Sequence, residues 1–195
     1  MTIDELLDFY RDGAFPMATS RGDDGFDMVA PLTRALLPIE NLHVPKRLKR
    51  TLSKALFDIR YDTAFEQVIT SCANATRTHE SGTWICDDII SLFIQLHNKG
   101  IAHSVECWTR DNQLVGGLYG LALGSTFCGE SMFSVETDAS KIALVHLVGR
   151  LKAKGFKLLD SQFHNPHLDQ FGLYEMPQDD YVAMMHAGLK DKVSF

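Results

Sequence analysis

The sequence predicts an α+β fold in which a mixed sheet is flanked by helices. Three successive segments have the composition of strands and are separated by turn-forming residues, which predicts an antiparallel meander. A helix with leucines three and four residues apart follows, and the chain then alternates between strands and helices. In this half, strands are expected at residues 101–110, 113–124, 125–134, 156–163 and 172–177, and helices at 139–154, 166–171 and 178–189.

The first part of the chain combines a helix, a loop and two strands around a basic segment. Thr2 and Glu5 form a capping box that starts a helix, and Gly13 suits its end. Residues 16–31 hold two prolines and the turn-forming run RGDDG, which predicts a loop. Strands are expected at 32–39 and 57–62, and helices from about residue 45, at 63–76 and at 87–99.

Composition narrows the class of protein. With 45% apolar residues in 195, the chain can bury a full core without covalent cross-links. Its four cysteines are dispersed and form no CxxC pair, which favours reduced thiols over a disulfide framework. No apolar run reaches the roughly 20 residues that a membrane span needs, and the acidic start MTIDELLDFY is unlike a signal peptide. We therefore expect a cytoplasmic protein with no membrane partner.

One basic segment contrasts with the net charge of −6, which argues against an extended nucleic-acid coat. This segment is PKRLKRTLSK, residues 45–54. Its first four charged residues are Lys46, Arg47, Lys49 and Arg50. In a helix these charges share a broad face, while Leu48, Leu52 and Leu56 turn inward. The pattern leaves two interpretations open, an ordinary solvated helix face or a patch that contacts phosphates.

Two acidic side chains lie in strands that otherwise have a buried composition. Glu130 is the only charge in LALGSTFCGESMFS, and Asp160 precedes Gln162 in LLDSQF, where alternate residues of a strand share a face. A buried carboxylate is unfavourable unless it is hydrogen-bonded or used in chemistry. Each acid is therefore either a structural acceptor for backbone N–H groups, which for Glu130 means a bulge beside Gly129, or part of a cleft suited to a cationic amine. Cys128 has no paired base in the sequence and is expected to be a buried core residue.

The order of elements is that of N-acyltransferases of the GCN5-related type, with a meander followed by alternating helices and strands. It divides the chain into a small N-terminal α/β domain, residues 1–62, and an acetyltransferase-like catalytic domain, residues 63–195. Enzymes of that type hold the pyrophosphate of acetyl-CoA with a glycine-containing loop at the start of a helix. The matching turn here is SVETDASK, which has no glycine and two acids. Acetyl-CoA is therefore not the expected donor.

Motifs spread over almost the whole chain point to one family. They are, in order, YRDGAFPM, HVPKRL, AFEQVITSCA, GTWI, GIAHSVECW, LVGGLYGLALGSTFCGESMFS, ASKIALVHL, KLLDSQF and DDYV. Together they resemble the leucyl/phenylalanyl-tRNA–protein transferases of bacteria. The resemblance implies transfer of Leu, Phe or Met from the 3′ acceptor end of aminoacyl-tRNA to proteins that begin with Lys or Arg, which marks them for degradation. It also implies a monomer that needs no metal and no cofactor, because aminoacyl-tRNA is a substrate whose ester is already activated.

The resemblance assigns roles to residues of this sequence. It implies that Asp160 and Gln162 promote attack by the acceptor amine, that Glu130 lies near that amine, and that Trp84 stacks near the terminal adenosine of the tRNA. The residues implied to form the donor aminoacyl pocket are Leu118, Phe127, Ser131, Leu147, Leu151 and Leu159. Those implied to contact the acceptor stem are Lys46, Arg47, Lys49 and Arg50.

The sequence departs from the family in places. Some members have Trp after FP and a WWSP-like motif, where this chain has Met17 and MVAP. Leu147 and Leu151 stand at pocket positions that are often aromatic. Members often extend further at the N-terminus, so the resemblance implies a short form. Two other functions stay open, an acyl-CoA-dependent N-acyltransferase on the same fold and a non-catalytic relative that binds aminoacyl-tRNA.

Overall fold

The computed structural model of the chain describes residues 1–75 and 83–195. The helices are α1 (Ile3–Arg11), α2 (Lys46–Leu52), α3 (Phe65–Asn74), α4 (Asp87–Asn98), α5 (Ala139–Lys154), α6 (Pro166–Asp169) and α7 (Gln178–Gly188). The strands are β1 (Phe15–Met17), β2 (Asp27–Val29), β3 (Thr33–Leu37), β4 (Asp58–Tyr61), β5 (Ala102–Trp108), β6 (Leu114–Leu123), β7 (Thr126–Ser134), β8 (Leu158–Gln162) and β9 (Tyr174–Pro177). These bounds confirm the strands and helices expected after residue 100. Thr76, at the end of the third expected helix, and Gly82 of the GTWI motif lie outside the described residues.

The main sheet has seven strands in the order β4-β5-β6-β7-β8-β3-β9. Neighbouring strands are antiparallel except β7 and β8, which are parallel, so the predicted α+β class with a mixed sheet is confirmed. Strands β3 and β4 precede residue 63 and still belong to this sheet. The division of the chain into domains at residue 62 stays a prediction.

A separate two-stranded ribbon is formed by β1 and β2. The prediction of a loop over residues 16–31 is wrong at these two strands. Each contains only three residues, too few for alternation to be visible, and Pro16 lies in the middle of β1.

The sheet separates two apolar clusters. One joins the sheet to α1, α3, α4 and α7, and the other joins it to α2 and α5. Successive strand residues alternate between them, so that Phe127 and Leu159 belong to the α5 cluster whereas Cys128 and Leu158 belong to the α1 cluster. Within residues 1–75 and 83–195, no helix combines the length and the apolar character that a membrane crossing requires.

Two predicted helix faces need correction. Leu56 was expected to turn inward, but α2 ends at Leu52 and Leu56 is 50% exposed. The apolar spacing in the α4 sequence predicts a buried stripe of Ile90, Phe93, Ile94 and Leu96. Ile90 and Ile94 are only half-buried, while Ile89 is fully buried. The helix is apolar over so wide an arc that its sequence did not define which side faces the core.

Candidate active site

The candidate site begins where β7 and β8 part. Their pairing ends at Cys128 and Asp160. Beyond that point the register of each strand shifts against its antiparallel neighbour, so that Glu130 in β7 and Ser161 in β8 are extra residues in β-bulges. Gln162, which follows the second bulge, has a left-handed backbone with φ of 61°. Bulges redirect side chains, and here they bring Glu130 and Gln162 together across the gap between the strands.

Among the described residues, donors to the Glu130 carboxylate reach only one of its two oxygens. Its Oε1 accepts from the Tyr10 hydroxyl at 2.8 Å and from Gln162 Nε2 at 3.1 Å. Its Oε2 is buried and has no hydrogen-bond partner among residues 1–75 and 83–195. The interpretation of Glu130 as an acceptor for backbone N–H groups therefore fails, although the bulge that it invoked is present. In the described parts of the chain the bulge instead leaves one buried carboxylate oxygen without a hydrogen-bond donor.

The surroundings of Glu130 favour its protonated form. Burial raises the pKa of Glu130 to about 8, and the nearby Asp160 carboxylate acts in the same direction. Hydrogen bonds from Tyr10 and Gln162 and the positive charge of Arg34 oppose that rise without cancelling it. Such a group can exchange a proton near neutral pH, as a general acid or base requires.

Asp160 has the opposite environment, because both its oxygens are occupied. It is fully buried and accepts two parallel bonds from Arg34, Nε to Oδ1 at 2.8 Å and one terminal nitrogen to Oδ2 at 2.5 Å. The Tyr181 hydroxyl donates to Oδ2 at 3.0 Å, and the backbone N–H of Gln162 donates to Oδ1 at 2.9 Å. These four bonds use the acceptor capacity of the carboxylate.

Arg34 is itself fully buried and lies between two aromatic rings. Its guanidinium carbon is 4.9 Å from the ring centre of Phe15 and 4.3 Å from that of Tyr181. Its remaining terminal nitrogen donates to the carbonyl oxygen of Gly13 at 2.7 Å. Burial acts to lower the pKa of Arg34, but the adjacent Asp160 carboxylate outweighs burial and raises it, so the guanidinium stays charged.

Tyr10, Arg34 and Tyr181 complete the polar cluster, and sequence reasoning gave none of them a role. A signal for Arg34 was present, since it is the one charge in the apolar strand LTRALLPI, just as Glu130 is in its own strand. Tyr10 and Tyr181 lie in the motifs YRDGAFPM and DDYV that carry the family resemblance. Burial keeps the pKa of both tyrosines well above its ordinary value, so they act as hydrogen-bond donors.

The apolar residues expected to form the donor pocket lie together on the α5 side of the sheet. All are at most 3% exposed and belong to one cluster, namely Leu118, Phe127, Leu147, Leu151 and Leu159. Glycine at position 120 leaves room for the Phe127 ring, because a Cβ there would lie only 2.5 Å from a ring atom. Phe195, which sequence reasoning did not consider, stacks on Phe127 with ring centres 5.4 Å apart.

The other expected donor contacts lie apart from that pocket. Trp84 is half-buried and packs against the α1 cluster, to which Tyr10 also belongs. Ser131 directly follows Glu130, is half-buried and faces Tyr119 of β6. The structure therefore places Ser131 beside the polar cluster, whereas the apolar pocket residues lie in the α5 cluster.

The basic helix α2 presents its charges to solvent. Lys46, Arg47, Lys49 and Arg50 are exposed, and in the described parts of the chain none of them forms an ion pair. Leu48, on the opposite side of the helix, is buried in the α5 cluster that contains the donor pocket residues. The basic surface therefore lies on the α5 side of the sheet, where the residues expected to form the donor pocket are packed.

Cys128 is a core residue, as expected. It is fully buried, and its Sγ lies 3.7 Å from the Tyr181 hydroxyl. Burial raises the pKa of its thiol well above the ordinary value, which disfavours the reactive thiolate.

A family model and several curated relatives name the same family. The family model described as leucyl/phenylalanyl-tRNA protein transferase matches residues 36–186. Curated proteins named leucyl/phenylalanyl-tRNA–protein transferase are similar over almost the entire chain. The one from Paramagnetospirillum magneticum is 55% identical and covers 100% of this chain and 92% of its own. Those from Hyphomonas neptunium and Chlorobaculum tepidum are 51% and 43% identical, covering 98% and 99% of this chain and 74% and 98% of their own. The chain therefore belongs to the leucyl/phenylalanyl-tRNA–protein transferase family.

Proposed function

We propose that this protein transfers leucyl or phenylalanyl groups, and methionyl groups with them, from aminoacyl-tRNA to proteins whose first residue is Lys or Arg. Membership of the family supports the reaction. The observation that carries the proposed site is the buried Glu130 carboxylate, one oxygen of which has no hydrogen-bond partner in the described part of the chain, where β7 and β8 part. In its ionised form a carboxylate in that position suits an incoming ammonium group, whose positive charge in turn favours loss of the Glu130 proton.

The aminoacyl ester of the donor is already activated, so the chemical demand of the reaction is to remove a proton from the acceptor amine. The α-amine of the acceptor forms a bond to the carbonyl carbon of the aminoacyl ester, and the bond from that carbon to the ribose oxygen breaks. The tRNA leaves with a free hydroxyl, which takes up a proton. An α-ammonium has a pKa of about 8 and is mostly protonated at neutral pH, so it must first give up a proton. No ATP, metal or other cofactor enters this balance.

The proposed catalytic residues are Glu130, Asp160 and Gln162. Glu130 orients the acceptor ammonium with its unpartnered oxygen, and its pKa of about 8 matches that of the amine, which allows proton transfer in either direction. The Gln162 amide is fixed on the other oxygen of Glu130. Asp160 holds the Gln162 backbone, while its own negative charge is balanced by the buried Arg34 guanidinium.

The donor is proposed to place its side chain among the leucines and Phe127 of the α5 cluster. A pocket of this kind discriminates by shape, and one methylene changes binding by only about 1–3 kcal/mol, so Leu, Phe and Met overlap as donors. The β-branched side chains of Ile and Val are expected to fit poorly. Trp84 is proposed to stack near the terminal adenosine, and the four charged residues of α2 to contact the acceptor stem.

The proposal also includes the topology, the oligomeric state and the cellular compartment of the protein. We propose an acetyltransferase-like topology of the GCN5-related type for the catalytic domain, and a monomer that acts in the cytoplasm. Sedimentation of the purified protein alone and with aminoacyl-tRNA tests the monomer. A mass other than that of one chain for the protein alone, or of one chain with one tRNA for the complex, would contradict it.

A transfer assay tests the function. The purified protein is incubated with radiolabelled Leu-tRNA or Phe-tRNA and a protein that begins with Arg, and matched reactions contain a protein that begins with Glu, added RNase, or labelled acetyl-CoA as donor. We expect RNase-sensitive label on the Arg protein only. Label from acetyl-CoA, or no transfer from either tRNA, would contradict the proposal.

A further inference from the structure

The left-handed backbone of Gln162 needs a cause. A residue other than glycine at φ of 61° is held in a conformation that its side chain disfavours, by about 1 kcal/mol or more. The conformation persists because its backbone N–H is bonded to Asp160 Oδ1 at 2.9 Å. In this conformation the Gln162 side chain reaches across the gap to Glu130.

Asp160 is held in turn by Arg34. The two parallel bonds from the guanidinium fix the plane of the carboxylate, which a single bond to a lysine could not do. Arg34 is fixed by the Phe15 and Tyr181 rings and by the Gly13 carbonyl. Gly13 is left-handed with φ of 81°, and a Cβ there would collide with the side chain of Gln178, so this turn also allows little variation.

A continuous series of contacts therefore runs from Arg34 through Asp160 and Gln162 to Glu130. We propose that Arg34 is a positioning residue, which fixes the Asp160 carboxylate and through it the left-handed turn that aims the Gln162 amide at Glu130. Arg34 touches no substrate in this scheme. The inference rests on the proposed function, because it assigns to Arg34 a part in the turnover of that same site.

A double-mutant cycle in kcat tests this assignment. Arg34→Lys keeps a positive charge but cannot form the fork, and we expect kcat for transfer from Phe-tRNA to fall about 30-fold, with the KM values of both substrates within about threefold. Gln162→Ala removes the group that is being positioned. In the Gln162→Ala background, Arg34→Lys is expected to lower kcat by less than about threefold, because residues that act through one another are not additive.

A matched control separates positioning from loss of stability. Leu96→Ala creates a cavity in the α1 cluster at a fully buried residue of α4 whose apolar side chain takes no part in this series of hydrogen bonds, and it is expected to lower Tm while leaving kcat within about twofold. If Leu96→Ala lowers kcat as much as Arg34→Lys at equal loss of Tm, or if the effects of Arg34→Lys and Gln162→Ala multiply, the positioning role is overturned.

A second variant covers the case in which Arg34→Lys does not fold. Replacing a buried ion pair by apolar side chains of similar size is often neutral for stability. The double variant Arg34→Met with Asp160→Leu is expected to fold and to lose at least about 100-fold in kcat, and full activity in it would overturn the assignment. Failure of the wild-type protein to transfer Leu or Phe would instead overturn the proposed function itself.

Discussion

Two buried glutamates on strands of the same sheet have opposite environments. Glu106 of β5 is fully buried and receives five hydrogen bonds. Two come from the backbone N–H groups of Thr63 and Ala64, at 2.9 and 2.8 Å, where α3 begins. The others come from the side chains of Ser104, Trp108 and Thr63. Both oxygens are used, so this acid fixes the turn that leads into α3 and has nothing left to offer a ligand.

Glu130 of β7 is almost as buried, and no residue in the described ranges 1–75 and 83–195 donates to its Oε2. Its two donors, Tyr10 and Gln162, both bond to the other oxygen. Burial alone therefore does not distinguish a carboxylate with a structural role from one that can act on a substrate. We distinguish the two glutamates by the number of hydrogen bonds that their oxygens accept. We expect substitutions near Glu130 to change the rate of transfer, and substitutions elsewhere to change substrate binding or protein stability.

The largest effect of a change beside Glu130 is expected from Asp160→Asn. The amide cannot accept both bonds of the Arg34 fork, so the Gln162 turn loses its support. We expect kcat to fall by about 100-fold while the Kd for aminoacyl-tRNA, measured by filter binding, changes by less than about threefold. If Asp160→Asn keeps the wild-type kcat, or if its main defect is weaker binding of aminoacyl-tRNA, the expected effect of Asp160 on the rate of transfer is contradicted.

The donor pocket is expected to change selectivity rather than rate. Phe195→Ala removes the ring that packs on Phe127, which enlarges the space available to a donor side chain. We expect the ratio of kcat/KM for Phe-tRNA to that for Leu-tRNA to rise about tenfold. Phe9→Ala is the control, since Phe9 is an exposed aromatic of α1, and an equal shift in both variants would contradict the pocket assignment.

The basic helix is expected to affect tRNA affinity alone. Reversing Lys49 and Arg50 to Glu removes cations that would neutralise phosphates, so the KM for aminoacyl-tRNA should rise about fivefold, with kcat little changed and a weaker dependence on salt. The double reversal of Lys190 and Lys192 to Glu makes the same change of net charge at other exposed lysines. An unchanged KM in the α2 variant, or the same rise in both, would place the tRNA on another surface.

The free energy of unfolding should depend on pH because of the buried Glu130 carboxyl group. The pKa of Glu130 in the folded protein, about 8, lies above the value near 4.3 of an unfolded chain. Between these pH values the folded protein binds more protons, so the wild type loses stability as pH rises from about 4 to 8. Glu130→Gln carries no such proton. Its Tm relative to wild type should therefore increase by about 5–10 °C between pH 5 and pH 8.5, and the same difference at both pH values would show that Glu130 is not held protonated.

Local patterns predicted most of the sheet and the helices around it. The leucines of α5 repeat at helical spacing, and Leu144, Leu147 and Leu151 are all buried as expected. The motif resemblance brought Glu130, Asp160 and Gln162 to one place, and the structure joins them through hydrogen bonds. Their catalytic roles stay predictions.

The partners of these acids could not be predicted from spacing. Tyr10 and Glu130 are separated by 120 residues, and Arg34 and Asp160 by 126. Such pairs depend on how the chain folds back on itself, which periodicity does not contain. The left-handed turn at Gln162 was also hidden, because a bulge adds one residue to a strand without changing its composition.

The most direct test compares the two glutamates in one reaction. Single-turnover transfer from Phe-tRNA to a peptide that begins with Arg is measured for wild type, Glu130→Gln and Glu106→Gln at pH 8. We expect Glu130→Gln to fold, to bind aminoacyl-tRNA and to transfer at least about 100-fold more slowly. Glu106→Gln should lose about 3 kcal/mol of stability and still transfer within about threefold of wild type below its Tm. Transfer by Glu130→Gln at the wild-type rate would contradict the proposed role of Glu130 in the reaction.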